Sequence, residues 1–294
     1  MKSGFVAILG RPNVGKSTIL NAILNKKISI VTDKSQTTRD AIKGIYNAEG
    51  VQIVFTDTPG IHSPHAKLGE MMNNTAYSAA HDVDVSILVV DASMPFGEFD
   101  QYILDHLDIK NVPLIIAFNK IDLAKITEAS KLKEKYLSIF PNAHIVEMVA
   151  KERFNIDELL KVIISLLPEG PAYYPDDVLS DKNMSFLVKE IIREKALKTL
   201  RQEVPHSIAV TIDKFDEKVD PIHISATIIV EKDSQKGIVI GKSGERIKLI
   251  GQKAREDIEK LMKKHVYLEL FVKVQEDWRN TDTLLESYGY KPKK

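Results

Sequence analysis

Gly10-Arg11-Pro12-Asn13-Val14-Gly15-Lys16-Ser17 follows the apolar run Phe5–Leu9 and leads into a helix-like stretch, Lys16–Asn25. The spacing G-x-x-x-x-G-K-[ST] in a strand–loop–helix setting is a phosphate-binding loop. Glycines let backbone N–H groups wrap a polyphosphate, Lys16 reaches the β- and γ-oxygens, and the Ser17 hydroxyl ligates Mg²⁺. Gly10, Asn13, Val14, Gly15, Lys16, Ser17 and Thr18 are therefore the expected phosphate contacts.

Outward from this loop, strand-sized apolar runs recur at Val51–Thr56, Val85–Val90, Leu114–Phe118 and His144–Val149, separated by amphipathic stretches. Near-continuous apolar strands alternating with helices predict a doubly wound, mostly parallel sheet with ligands at the carboxyl ends of its strands. Two of those ends carry polar motifs. Asp57-Thr58-Pro59-Gly60 offers a carboxylate for Mg²⁺ and a glycine N–H for a γ-phosphate. Asn119-Lys120-Ile121-Asp122 offers a carboxylate that can accept from guanine N1–H and the exocyclic amine, donors that adenine lacks. Between the first two motifs, the polar stretch Asp33–Asp40 reads as a mobile loop with Thr38, or next to it Thr37, available to close on Mg²⁺ and γ-phosphate. Each tetrapeptide alone would read as a turn; with the phosphate loop they make three loops in order after three strands, which is hard to attribute to coincidence.

Leu167-Pro168-Glu169-Gly170-Pro171-Ala172-Tyr173-Tyr174-Pro175 reads as an interdomain linker. The expected organisation is a nucleotide-binding domain over 1–168, a linker over 169–180, a smaller α+β domain over 181–280 and a poorly ordered tail over 281–294. In the second domain, Asn183–Arg201 is helical in period, Ser207–Lys214 and Ile222–Glu231 alternate as strands, Arg246–Met262 is helical, and Val266–Val274 is a strand. Gly241-Lys242-Ser243-Gly244 interrupts the two central helical segments as a G-x-x-G loop, against which a nucleic-acid backbone can pack. From Lys236 to Arg255 the only acid is Glu245, among Lys236, Lys242, Arg246, Lys248, Lys253 and Arg255. Gly241, Lys242, Ser243, Gly244, Arg246 and Lys248 are the expected RNA contacts. A solvated helix face is the alternative reading of this stripe, and packing the alternative to RNA stacking for Trp278.

These motifs resemble those of the Era family of bacterial small GTPases, and the resemblance spans nearly the whole chain, down to Val266-Tyr267-Leu268-Glu269-Leu270 and Asp277-Trp278-Arg279 in a domain of type II K-homology order. It implies a GTPase using GTP/GDP and Mg²⁺, bound to the single-stranded 3′ end of small-subunit ribosomal RNA and acting in 30S subunit maturation. The fifth loop of that family usually reads Ser-Ala; here it is Val149-Ala150, which leaves the Ala150 N–H to meet guanine O6 without a hydroxyl beside it. As in related bacterial GTPases, Asn13 could help hold a K⁺ ion in place of an arginine finger. Ile61 follows Gly60 where many small GTPases carry a water-orienting glutamine, so catalysis rests on Lys16, Thr38, Gly60 and Asn13.

Composition narrows the remaining classes. The 294 residues suit two domains, carry no net formal charge and contain no cysteine, which excludes a disulfide framework and thiolate metal sites. Up to Ser180 there are 18 Lys+Arg against 22 Asp+Glu, and beyond it 23 against 19. No apolar stretch of transmembrane length or signal peptide is visible, so a cytoplasmic, monomeric protein is expected. His206, His223 and His265 share no metal-ligand spacing. Two rivals to the enzyme reading stand: an RNA chaperone whose affinity is set by nucleotide, and a signalling GTPase with peripheral contact at the inner membrane surface through the basic helix Arg246–Lys264. That helix lacks the bulky aromatic face of an interfacial helix.

Overall fold

Val6, Ala7, Ile8 and Leu9 are fully buried because their strand is paired on both sides and its two faces are covered by packed helices. The computed structural model describes residues 1–34, 36–106, 112–200 and 204–290. Among them β1 (Lys2–Gly10), β2 (Ile42–Ala48), β3 (Val51–Asp57), β4 (Val85–Asp91), β5 (Leu114–Asn119) and β6 (His144–Met148) form a six-stranded sheet in the order β2-β3-β1-β4-β5-β6. All neighbours run parallel except β2 and β3. The helices between them are α1 (Lys16–Leu24), α2 (Lys67–Ala80), α3 (Glu98–His106), α4 (Ile126–Ile139) and α5 (Ile156–Leu166).

Side-chain alternation along the strands divides the core in two. Ala7, Leu9, Leu88, Val90, Ile116 and Phe118 pack with Ala76, Ala80, Ile103, Leu132 and Tyr136 from α2, α3 and α4. On the other side α1 packs against α5, burying Ile19, Leu20, Leu159 and Ile163. Each of these buried aliphatic side chains stabilises the fold by about 1.5–3 kcal/mol. What matters for function is that β1, β3, β5 and β6 end together, at Gly10, Asp57, Asn119 and Met148, so their loops share one edge of the sheet.

The strand β2 has no counterpart among the apolar runs. Its sequence Ile-Lys-Gly-Ile-Tyr-Asn-Ala lacks clean alternation, and pairing with β3 from Ile42↔Asp57 to Ala48↔Val51 holds it. The expected linker also behaves differently: it lies along the free edge of β2. Ile45 N donates to Leu179 O at 3.0 Å, Lys43 N to Asp181 Oδ1 at 3.0 Å, and Gln52 bonds the backbone of Tyr173 and Tyr174. The first compact unit accordingly comprises Met1–Ser29, Thr38–His65 and Gly69–Asp181.

The second unit takes Ile30–Thr37, Ala66–Leu68 and the chain from Lys182 onward. Its elements are α6 (Met184–Thr199), β7 (Ala209–Asp216), β8 (Ile222–Val230), α7 (Asp233–Ile240), α8 (Glu245–Met262), β9 (Val266–Val274) and α9 (Asp282–Ser287). The sheet order is β7-β8-β9, antiparallel then parallel, and Val188, Ile192, Ile224, Ala226, Ile228, Ile250, Ala254 and Ile258 form its core. The Asn183 side chain caps α6 by accepting from Phe186 N at 2.9 Å.

The expected disordered tail is folded as far as it is described. Trp278 is fully buried, donates from Nε1 to Ser207 O at 2.9 Å, and packs against Tyr288 and Tyr290, while α9 buries Leu285. Aromatic residues that looked like tail composition are anchors, and Trp278 is a packing residue with no face for RNA. Arg201, the side chain of His206 and residues 291–294 lie outside the described residues. No described helix is long and apolar enough to cross a membrane.

Candidate functional site

The phosphate loop is shaped by what surrounds it. Gly15 has φ 108°, and a Cβ there would stand 2.2 Å from Asn119 Nδ2, so any side chain would break the contact between the first and third motifs. The helix α1 opens directly after Gly15 with no side-chain cap, which leaves its first N–H groups to an anion; Thr18 lies in that first turn. Lys16 is buried, and its Nζ donates to Gly10 O at 3.0 Å and Arg11 O at 2.7 Å. Burial lowers its pKa to about 8 against the opposing charge of Asp57. A cation held in a dry loop by two carbonyls is poised to exchange them for phosphate oxygens.

Beside it the structure brings Ser17, Thr38 and Asp57 together. Ser17 Oγ donates to Asp57 Oδ2 at 2.6 Å and lies 2.9 Å from Thr38 Oγ1. The other carboxylate oxygen, Asp57 Oδ1, is buried with no hydrogen-bond partner among the described residues, and burial raises this carboxyl above its ordinary range. An orphan buried oxygen next to two hydroxyls is an all-oxygen donor set that fits Mg²⁺. Thr37 turns elsewhere, bonding Thr32 Oγ1 and Lys34 O at 2.6 Å each. The second motif is tied to the first by Ile61 N, which donates to Gly10 O at 3.3 Å and so sets Gly60 beside the loop; the Ile61 side chain is fully buried in the core.

In the third motif, Asn119 Nδ2 donates to Val14 O at 2.8 Å, and Lys120 Nζ donates to Asn13 O at 2.8 Å. Asp122 sits exposed on a single 3₁₀ turn, Ile121–Leu123, open to a base. The Ala150 amide differs from expectation: it donates to Asn119 Oδ1 at 2.9 Å, because a buried N–H needs a partner. Meeting guanine O6 therefore requires it to share or exchange that bond. Val149 closes a small turn with Phe154 through paired backbone bonds, with no role for a hydroxyl. Sequence reasoning passed over Asp91, whose Oδ2 lies 2.6 Å from Lys120 Nζ. The available signal was its position, a carboxylate ending β4 as Asp57 ends β3.

In the second unit, the G-x-x-G loop joins α7 to α8. Gly244 has φ 79° with open space beyond it, and Lys242 and Ser243 are exposed. Arg246 is turned inward: its guanidinium donates to Ile238 O at the end of α7 and braces the loop. Beyond the loop, a groove of about 400 Å³ runs between α8 and β9, lined by Ile247, Gly251, Leu268 and Leu270 together with Lys248, Gln252 and Arg255. Of these, only Lys248 was expected. Arg255 stood in the basic stripe without being singled out, and Ile247, Leu268 and Leu270 were hidden because aliphatic residues on a helix and on a strand read as core in either element alone.

The two units match known families separately. Residues 5–120 match the family described as a 50S ribosome-binding GTPase, and residues 203–279 match the KH domain. Over their whole length, two solved structures are similar, each 40% identical with 99% of both chains covered. One is Era in complex with MgGDPNP and nucleotides 1506–1542 of 16S ribosomal RNA, at a TM-score of 0.93. The other is a substituted Aquifex aeolicus Era bound to GDP and AlF₄⁻, at 0.94. Identity of 40% with 99% of both chains covered, beside the separate GTPase and KH-domain matches, shows that the chain belongs to the Era family of GTPases.

Proposed function

We propose that this GTPase couples GTP hydrolysis to binding of the single-stranded 3′ region of small-subunit ribosomal RNA, in the maturation of the 30S subunit. The observation that carries the reading is the buried cluster of Lys16, Ser17, Thr38 and Asp57 on a chain that also presents a G-x-x-G loop and groove. The family description names the 50S subunit for a broad class of GTPases; the full-length neighbour, crystallised with 16S RNA, favours the small subunit here.

In this reading Lys16 leaves the Gly10 and Arg11 carbonyls for the β- and γ-oxygens, and Gly60 N–H and the amides opening α1 take the remaining oxygens. Ser17, Thr38 and Asp57 hold Mg²⁺, which when bound neutralises charge between the β- and γ-phosphates. Asp122 reads guanine, and Lys120, held between Asn13 O and Asp91, braces the phosphate loop against the base loop. Ile61 is walled into the core and cannot orient water, so attack depends on backbone groups and cations, with Asn13 the candidate to hold K⁺. On the RNA side, the groove between α8 and β9 takes bases while the loop amides take a phosphate.

Crosslinking followed by sequencing of the RNA bound with GDPNP and with GDP tests this. Enrichment of the 16S 3′ end that depends on nucleotide, together with phosphate release stimulated by that RNA, is the expected outcome. RNA affinity that follows nucleotide while turnover stays negligible would instead identify an RNA chaperone.

A further inference from the structure

Arg193, in the middle of α6, is fully buried, which is rare for an arginine and costly unless the charge is paired. Its Nε donates to Glu190 Oε1 at 2.9 Å, and its Nη2 donates both to Glu190 Oε2 and to the backbone carbonyl of Thr37. The next residue, Glu194, is buried as well, and its Oε1 accepts from Val31 N at 3.2 Å. The segment Ile30–Thr37, which belongs to the same compact unit as α6, is thus held at both ends by charged side chains of one helix.

Described residues between those holds also bond to one another. Ile30 is buried in the unit's apolar core, Lys34 N donates to Thr32 Oγ1 at 3.0 Å, and the Thr32 and Thr37 hydroxyls lie 2.6 Å apart. The next residue is Thr38, the first residue after the segment to belong to the other unit, with Oγ1 2.9 Å from Ser17 Oγ. The carbonyl that Arg193 grips and the amide of Thr38 are the two halves of one peptide plane. Fixing Thr37 O therefore fixes that plane.

We propose that Arg193 is a positioning residue for GTP hydrolysis: its guanidinium, held by Glu190, sets the Thr37–Thr38 peptide so that Thr38 Oγ1 faces Ser17 and Asp57. This rests on the reading of Thr38 as a ligand of Mg²⁺ and the γ-phosphate. A purely structural helix face would bury aliphatic residues there at lower desolvation cost. The guanidinium instead supplies direction, since its N–H groups leave in a fixed plane that can hold a carboxylate and a carbonyl together.

The test compares Thr38→Ala, Arg193→Met, Arg193→Lys and the double variant Thr38→Ala/Arg193→Met, all in the full chain. Single-turnover GTP hydrolysis and Mg²⁺ titrations with GDPNP and with GDP are read side by side. Arg193→Met should slow turnover about tenfold and raise the Mg²⁺ requirement with GDPNP by a similar factor, the scale of one charge-assisted hydrogen bond. GDP binding, which does not use Thr38, should stay within about twofold of wild type, and Arg193→Lys should recover part of the loss. The double variant should be no slower than Thr38→Ala alone. If Thr38→Ala is slow while Arg193→Met is within about twofold of wild type, or if the two losses multiply, the positioning role is overturned and the Thr38 reading survives. Wild-type turnover in Thr38→Ala overturns the reading beneath it. Should Arg193→Met not fold by circular dichroism, Glu190→Gln, which loosens the hold on the guanidinium, takes its place in the same comparison.

Discussion

The nucleotide loops and the groove between α8 and β9 are built on opposite principles. Around Lys16 and Asn119 the side chain of Lys16 and the amide of Ala150 already have internal partners, so a ligand enters by exchanging bonds: Lys16 gives up two carbonyls, and Ala150 shares its bond to Asn119. The groove between α8 and β9 is open, aliphatic along much of its lining, and flanked by Lys248, which is exposed, and Arg255. The first design suits one small ligand with a defined donor pattern. The second suits a flexible polymer held by charge and apolar contact.

Removing the central cation should give the largest separation. Lys16→Ala should lower GTP turnover by roughly two to three orders of magnitude, the scale of losing one preorganised oxyanion contact, while thermal unfolding is unharmed because a desolvated charge is removed. Phosphate release and a melting curve on one preparation check it; near-normal turnover would break the assignment of the loop. Asp122→Asn should weaken GTP by about a hundredfold and improve xanthosine triphosphate, since an amide donates where the carboxylate accepted. Competition between the two nucleotides measures this.

Gly244→Asp attacks the other side. A β-carbon at φ 79° is strained and a carboxylate repels phosphate, so RNA affinity should fall about tenfold or more while GTP hydrolysis without RNA is kept. Filter binding beside phosphate release decides it. A pH series sharpens the nucleotide half: the Lys16 pKa of about 8 in the free protein lies below its value with phosphate bound, so affinity should hold below pH 8 and fall as pH rises through it. The Lys16→Ala protein should lack that fall. The smallest effect is a slope, since Lys242→Gln should reduce the dependence of log RNA affinity on log salt by roughly 0.7.

How far the sequence could be read differs between the two regions for the same physical reason. Motifs that end strands are local, so Gly10–Ser17, Asp57–Gly60 and Asn119–Asp122 were visible, and the predicted β9 matches its observed span of Val266–Val274. What escaped depends on partners distant in the chain. The strand β2 exists because β3 pairs with it, Trp278 is buried by Tyr288 and Tyr290, and the groove appears only when α8 meets β9. Arg193 is the extreme case: within Ile-Ile-Arg-Glu-Lys it reads as solvated, and its burial is explained by distant groups such as the Thr37 carbonyl together with Glu190 one turn back.

The proline-rich stretch laid along β2 also decides where the chain can be cut. An edge strand whose N–H and C=O groups are open is a template for pairing with another molecule. Here Leu179 and Asp181 occupy those groups, and Tyr173 and Tyr174 fill the bonds of Gln52. A GTPase fragment ended at residue 168, where composition alone would end it, should self-associate through bare β2 and show it as concentration-dependent light scattering. One carried through Asp181 keeps its edge sealed and should remain a monomer.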